Sequence, residues 1–453
     1  MKNILANNIQ LNFLPTTSMW LFFLTHCFCL LLGFNFLSFI LIILLGLYSI
    51  YKCFNGHVSY VLLLLVLGSY HSNFYNVYTL DIFGFKYVYI LILCLLILLA
   101  IRAKYNSKLL PLFSFILFYF IFLFVLGFFF KYSWSWYINE TIAFAIFTFF
   151  ILLISVSRKE VIFKVLETLA LYVLYFNPLM SILSIGFSTG EESILYDEFE
   201  KFYFVALVPL LFYKIPNKWG LIVLNITAIV LKASFTYFSS LNVILMITVI
   251  ALMFIFYKIP LIKKILLILL VTVGTYGVYN LGSKQTKFKL YQAMTAVSEI
   301  LNGDISAIPR SPKVRVLEFL ISFENLKEEG FIFPFVGKGF GSYIDDTKTK
   351  YFSKYKITLE DYDYSKEEVK RRKFKKGHGG IPYIPIKMGF LGLCIFSTIC
   401  LMGLTLIRYK AIYWFAISSP IYVLTTFSYG LKNYIFVGII IGVFIKLLLN
   451  KSK

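Results

Sequence analysis

Residues 109–130 read LLPLFSFILFYFIFLFVLGFFF, a run with no charged side chain and only Ser114 and Tyr119 carrying polar groups. A helix needs roughly 20 apolar residues to cross the hydrocarbon of a bilayer, and a helix that is apolar on every side has no face suited to water. Working outward, further apolar runs bounded by charges or turn residues fall at 19–34, 35–51, 57–70, 83–101, 138–156, 163–185, 202–213, 219–234, 237–257, 261–281, 382–407, 411–428 and 432–449. The runs at 57–70, 202–213 and 219–234 are short, as tilted, re-entrant or helix-buried segments are. Of the 453 residues, 60% are apolar and 14% charged, and the mean hydropathy is +0.82. Soluble chains lie near about 45–50% apolar and about 25% charged, so an ordinary water-soluble enzyme is excluded. The fold expected is an all-α polytopic membrane protein with 12–14 transmembrane helices and one large loop containing short helices.

Lys and Arg outnumber Asp and Glu by 43 to 22. In a membrane protein such an excess marks cytoplasmic loops rather than nucleic-acid binding, and no nucleic-acid partner is expected. The connecting segments alternate: Arg102, Lys104, Lys108, then Arg158 and Lys159, Lys214 and Lys218, Lys258, Lys263 and Lys264, Arg408 and Lys410 on one side. Asp81, Lys131 and the acidic stretch from Glu191 to Glu200 lie on the other. The positive-inside rule then places both termini in the cytoplasm. Trp20, Trp134, Trp136, Trp219 and Trp414 sit at span ends, as interfacial aromatics do. The chain divides into an N-terminal bundle, 1–281, with about 11 spans, a large outward loop, 282–381, and C-terminal helices, 382–453, with about 3 spans. No cleavable signal is expected, because apolar segments follow one another from the first. The six cysteines lie in or beside apolar segments and read as core residues, not as a disulfide framework.

A polar segment this long is usually functional or disordered. Val316, Phe319, Leu320 and Phe323 repeat at i, i+3, i+4 and i+7, predicting an amphipathic helix over about 312–327 with Pro312 in its first turn. Arg315 and Glu318 stand three apart, as a solvated ion pair does. Next comes Pro334-Phe-Val-Gly337-Lys-Gly339-Phe-Gly341, either a tight turn or a set of backbone N–H groups aimed at a phosphate. The residues around Lys338 lack the spacing of a P-loop. The charged stretch 345–376, with Arg371 and Arg372 in its basic cluster, reads as a solvated, mobile face or as a contact for anionic headgroups or pyrophosphate. His378 stands just before the next apolar run, where a histidine can act as general base at neutral pH. The four histidines are scattered without ligand spacing, so no zinc site, metal or cofactor is expected.

In combination these features resemble the O-antigen polymerase and O-antigen ligase superfamily of bacterial envelope glycosyltransferases. The resemblance lies in the Arg-led helix from Arg315 to Phe323, in Pro334-x-x-Gly337-x-Gly339-x-Gly341, and in His378 placed ahead of Gly389 and Gly392 as a span opens. The family similarly has 12 to 14 spans and one large periplasmic loop late in the chain. Gly379 and Gly380 depart from the polar residue that often follows the family's histidine, and Pro382 and Pro385 interrupt a usually cleaner helix start.

The resemblance implies a metal-independent glycosyltransferase in the bacterial inner membrane, with an undecaprenyl-pyrophosphate-linked oligosaccharide as donor. It further implies a surface-polysaccharide polymerase working beside a chain-length regulator and a flippase; a ligase of the same superfamily, or a flippase, is the alternative. On it, His378 is the base for the acceptor hydroxyl and Arg315 steadies the pyrophosphate, with Arg310, Arg371 and Arg372 and with Gly337, Gly339 and Gly341 as further substrate contacts. Glu140 and Lys232 are expected to line the same cavity, because intramembrane charge is costly and usually functional.

Overall fold

The computed structural model describes residues 17–54, 70–72, 81–82, 85–86, 89–90, 92–94, 96–97, 110–130, 133–156, 159–186, 195–197, 217–235, 261–359, 364–375, 377–404 and 431–449. These are mostly helical. The helices are α1 (Thr17–Leu31), α2 (Asn35–Phe54), α3 (Leu110–Phe129), α4 (Trp134–Val156), α5 (Lys159–Gly186), α6 (Lys218–Phe235), α7 (Leu261–Leu281), α8 (Lys284–Asn302), α9 (Arg310–Glu328), α10 (Phe333–Val336), α11 (Tyr351–Lys354), α12 (Lys366–Arg371), α13 (Gly380–Leu404) and α14 (Leu431–Leu449). Three short antiparallel ribbons accompany them: β1 (Tyr70–Ser72) with β4 (Leu195–Asp197), β2 (Asp81–Ile82) with β3 (Phe85–Lys86), and β5 (Ile344–Asp345) with β6 (Lys373–Phe374).

Among the described residues, two helical segments, Trp134–Leu152 and Gly380–Thr398, are long and apolar enough to cross a membrane. Shorter apolar helical stretches include Asn35–Ser49, Ser114–Phe129 and Val437–Leu447. The expected spans at 202–213, 237–257 and 411–428, and most of 57–70 and 83–101, lie outside the described residues.

The chain divides into two compact units, one of residues 1–80, 157–290 and 406–418, the other of 81–156, 291–405 and 419–453. Residues 291–381 of the expected loop fall in the second unit, where α9 and α10 pack on α13 and the Phe340 ring lies against Phe120 of α3 and Phe144 of α4. In the first unit, Phe23 of α1 stacks on Phe176 of α5, and Asn225 of α6 donates to the Leu174 carbonyl of α5 at 3.1 Å.

In the second unit, α4 and α14 lie in close contact at Gly438-Ile-Ile-Ile-Gly442. A side chain at Gly438 would come within 3.0 Å of the Phe147 carbonyl, and one at Gly442 within 2.8 Å of Ile154. Small residues four apart let two helix backbones approach in this way. Trp136, expected at an interface, is buried in this unit, with the ammonium groups of Lys375 and Lys387 over its ring.

The segment 310–375 has its own apolar core of Val314, Leu317, Ile321, Leu326, Ile344, Phe352, Tyr364 and Phe374, joined by Ile386 of α13. The helix predicted over 312–327 is α9, but its buried face is Val314, Leu317, Ile321 and Leu326; Phe323, predicted to be inward, is exposed. The charged stretch is also ordered where it is described. Ser365 caps α12, accepting from the Glu368 amide while Glu368 accepts from the Ser365 amide, a reciprocal capping box.

Candidate functional site

Glu318 faces the packed side of α9, and its carboxylate is fully buried. It makes no ion pair with Arg315; it is taken instead by His378, 60 residues on. The His378 backbone amide donates to Glu318 Oε2 at 2.8 Å and the ring Nδ1 to Oε1 at 2.6 Å. The Tyr364 hydroxyl donates to the same Oε1, and its ring meets the imidazole edge to face. A carboxylate accepts only, so Nδ1 carries a proton, and in the neutral imidazole the basic lone pair is on Nε2. The imidazole side chain remains 28% exposed.

The glycines around His378 have a local reason. Gly379 takes φ +156°, and a side chain at Gly377 would press on Pro382 at 3.1 Å. The Gly379 carbonyl then accepts from the Tyr383 amide as α13 begins. Glycine at position 379 is therefore a backbone requirement, since φ in this range favours glycine.

Arg315 comes to the same place from α9. Its Nε donates to the His378 carbonyl at 3.1 Å and its Nη1 to Ser311 Oγ at 3.3 Å. It has no carboxylate partner among the described residues, so its charge stands beside the histidine. Arg310 turns to the Thr358 carbonyl, at 3.2 and 2.9 Å. Arg371 pairs with Glu367 at 2.6 Å, while Arg372 reaches Ser353 and lies 3.8 Å from Asp346. The structure thus joins Arg315 to His378 and binds the other three arginines to different partners.

The glycine segment follows the tight-turn reading. Gly337, Gly339 and Gly341 all have φ near +77°, at 77°, 75° and 78°. Their amides are spent inside the protein: Gly337 donates to the Phe333 carbonyl, Gly339 to Lys387 and Gly341 to the Glu140 carboxylate. The intervening Lys338 and Phe340 amides donate to Ile386 and Leu123. In this conformation the turn has no amide to offer a phosphate.

Glu140 sits in a closed network of partners among the described residues. Its carboxylate is fully buried and accepts from Lys387 Nζ at 2.9 Å, the Tyr383 hydroxyl and the Gly341 amide. Lys387 also donates to the Ser342 carbonyl at 2.7 Å, and Tyr434 of α14 bonds to Tyr383. Lys232 belongs to the other unit.

Sequence reasoning missed Glu318, Tyr364 and Lys387 as members of these clusters. The available signal for Glu318 was its place between Leu317 and Ile321; no signal singled out Tyr364. No family model, curated protein or solved structure matches the chain.

Proposed function

We propose that this chain is a multi-pass glycosyltransferase of the bacterial inner membrane. In this reading it joins undecaprenyl-pyrophosphate-linked oligosaccharide repeat units at the periplasmic face, as a surface-polysaccharide polymerase. The observation that carries the reading is the Glu318–His378 pair with the Arg315 guanidinium on the His378 carbonyl. A base beside a cation that has no carboxylate partner among the described residues is what attack of a hydroxyl on a glycosyl pyrophosphate requires. The acceptor oxygen forms a bond to the anomeric carbon, and its proton passes to His378 Nε2. The bond from that carbon to the pyrophosphate oxygen breaks, and its electron pair leaves with the pyrophosphate, whose growing charge Arg315 stabilises. Glu318 fixes the imidazole tautomer and balances the imidazolium that forms, a positioning role.

The test is a gel of surface glycans from a strain lacking the protein and complemented with wild type, Arg315→Ala or His378→Ala. Collapse of the ladder to single repeats on their acceptor is expected for the null strain and for both variants. Polymer held on the lipid carrier, with bare acceptor, would make the protein a ligase. Single repeats trapped on the cytoplasmic side would make it a flippase. Full ladders from both variants would remove His378 and Arg315 from the chemistry.

A further inference from the structure

The segment Gly330-Phe-Ile-Phe-Pro-Phe-Val-Gly337 carries no charge, and in the chain's order it belongs to the polar region between α7 and α13. Its position is not that of a polar loop. Within the second unit its backbone crosses α13 where α13 breaks: Gly389 has φ +64°, and a side chain there would meet the Phe335 carbonyl carbon at 2.3 Å and the Gly337 amide at 2.5 Å. The following residues cross α3 as closely, for a side chain at Gly127 would lie 2.2 Å from the Phe340 carbonyl oxygen. The Phe340 amide donates to the Leu123 carbonyl at 3.2 Å.

These crossings fix where the segment lies along α13 and α3. Gly389 lies nine residues into α13, about 13 Å along the axis, and Leu123 lies within two turns of the end of α3, about 10 Å. Despite that packing, Phe331 is 89% exposed, Ile332 60% and Phe335 51%, and Phe390 and Leu391 of α13 are exposed with them. The charges come only at the edges, where Lys338 Nζ pairs with Glu329 at 2.6 Å and lies over the Phe130 ring at 5.3 Å.

We infer that Phe331–Val336 is a re-entrant turn inserted among the acyl chains of the outer leaflet. It thereby anchors the segment carrying Arg315 and Glu318 to the lipid. The inference rests on the membrane-spanning part of the function proposed above, because α3 and α13 must themselves lie in hydrocarbon. Exposed aromatic side chains at that depth meet acyl chains, and Glu329, 39% exposed and paired with the buried Lys338, marks the level where the chain enters from water.

The test uses the full-length protein, its native cysteines replaced, reconstituted in phosphatidylethanolamine–phosphatidylglycerol vesicles. Single cysteines are placed at Phe331, Phe335 and Lys348, whose side chain is 74% exposed, and reacted with a water-borne maleimide. Phe331→Cys and Phe335→Cys are expected to react about tenfold more slowly than Lys348→Cys, and equally fast after unfolding in detergent. Equal rates in vesicles for correctly reconstituted protein would overturn the insertion and leave the proposed function standing. Recovery of the wild-type chain in aqueous extract without detergent would overturn the membrane reading and this inference with it. Because the two cysteine sites lie on opposite sides of Pro334, misfolding of one variant leaves the other to decide.

Discussion

Glu318 carries a fully buried carboxylate on a helix whose other acids, Glu324 and Glu328, remain in contact with water. Burying a carboxylate is costly unless it is paired and hydrogen-bonded, and Glu318 has three donors: the His378 amide, its Nδ1 and the Tyr364 hydroxyl. Glu318→Gln keeps the volume and loses the charge, leaving the imidazole without a fixed tautomer. If the proposed function holds, a fall in polymerisation rate of about 10² to 10⁴ is expected, with protein level and thermal stability close to wild type; an unchanged rate would remove Glu318 from the proposed mechanism. A second carboxylate at this scale governs acid stability. Burial alone would raise the Asp345 pKa, but hydrogen bonds from Thr347 and the Lys373 ammonium, 3.3 Å away, hold it below the usual value. A depressed folded-state pKa means a contribution present above about pH 4, the unfolded value, and lost as the pH falls through the folded one. Asp345→Asn should flatten the decline in thermal stability between neutral and acid pH. An unchanged decline would mean that other groups set it. Glu318 was hard to read because Val314, Val316, Leu317, Phe319, Leu320, Ile321 and Phe323 crowd most of α9. With apolar side chains nearly all round, periodicity names a helix without choosing its inner face.

Among the elements, the helix, the glycine turn and the apolar run after His378 were all readable from spacing. What they touch was not, since a positive φ reports a turn and says nothing of the backbone lying against it. Gly337 is the sharpest case: at φ +77° a side chain there would stand 2.4 Å from the Lys387 carbonyl carbon and 2.5 Å from the Gly389 amide. No rotamer relieves a clash with backbone. Gly337→Ala should therefore destabilise by about 2 kcal/mol or more, from strain and overpacking together, seen as a lowered melting temperature in detergent. A wild-type melting temperature would mean that the crossing of α10 over the Gly389 break is looser than described. The break itself divides α13, which covers most of the apolar run read at 382–407, into two helical pieces. Gly389 looks ordinary among apolar neighbours until Phe335 is known to lie against it.

For the molecule as a whole, the information that joins its parts is held in pairs remote in sequence, where local pattern has no reach. Hydropathy found apolar helices because it sums over neighbours; it had no means of matching Glu140 to Lys387, 247 residues away. Each looked like a lone charge in an apolar run. Through that pair α4, the glycine turn and α13 meet, since Glu140 also takes the Gly341 amide and Lys387 the Ser342 carbonyl. A buried ion pair is weak evidence for net stability, but removing one member leaves the other charge uncompensated. Lys387→Met alone should cost about 3–5 kcal/mol, whereas Glu140→Gln with Lys387→Met should recover much of that loss, because no unpaired charge remains. Thermal unfolding of the four proteins in detergent gives the coupling as a double-mutant cycle. Strong coupling would mean that the pair sets how the Arg315–His378 segment meets its helices. Additive losses would mean that Tyr383, the Gly341 amide and the Ser342 carbonyl hold each charge without the other. The glycan ladder separates the roles further: if the double variant folds yet makes short chains, the pair sets the register of the site as well as its stability.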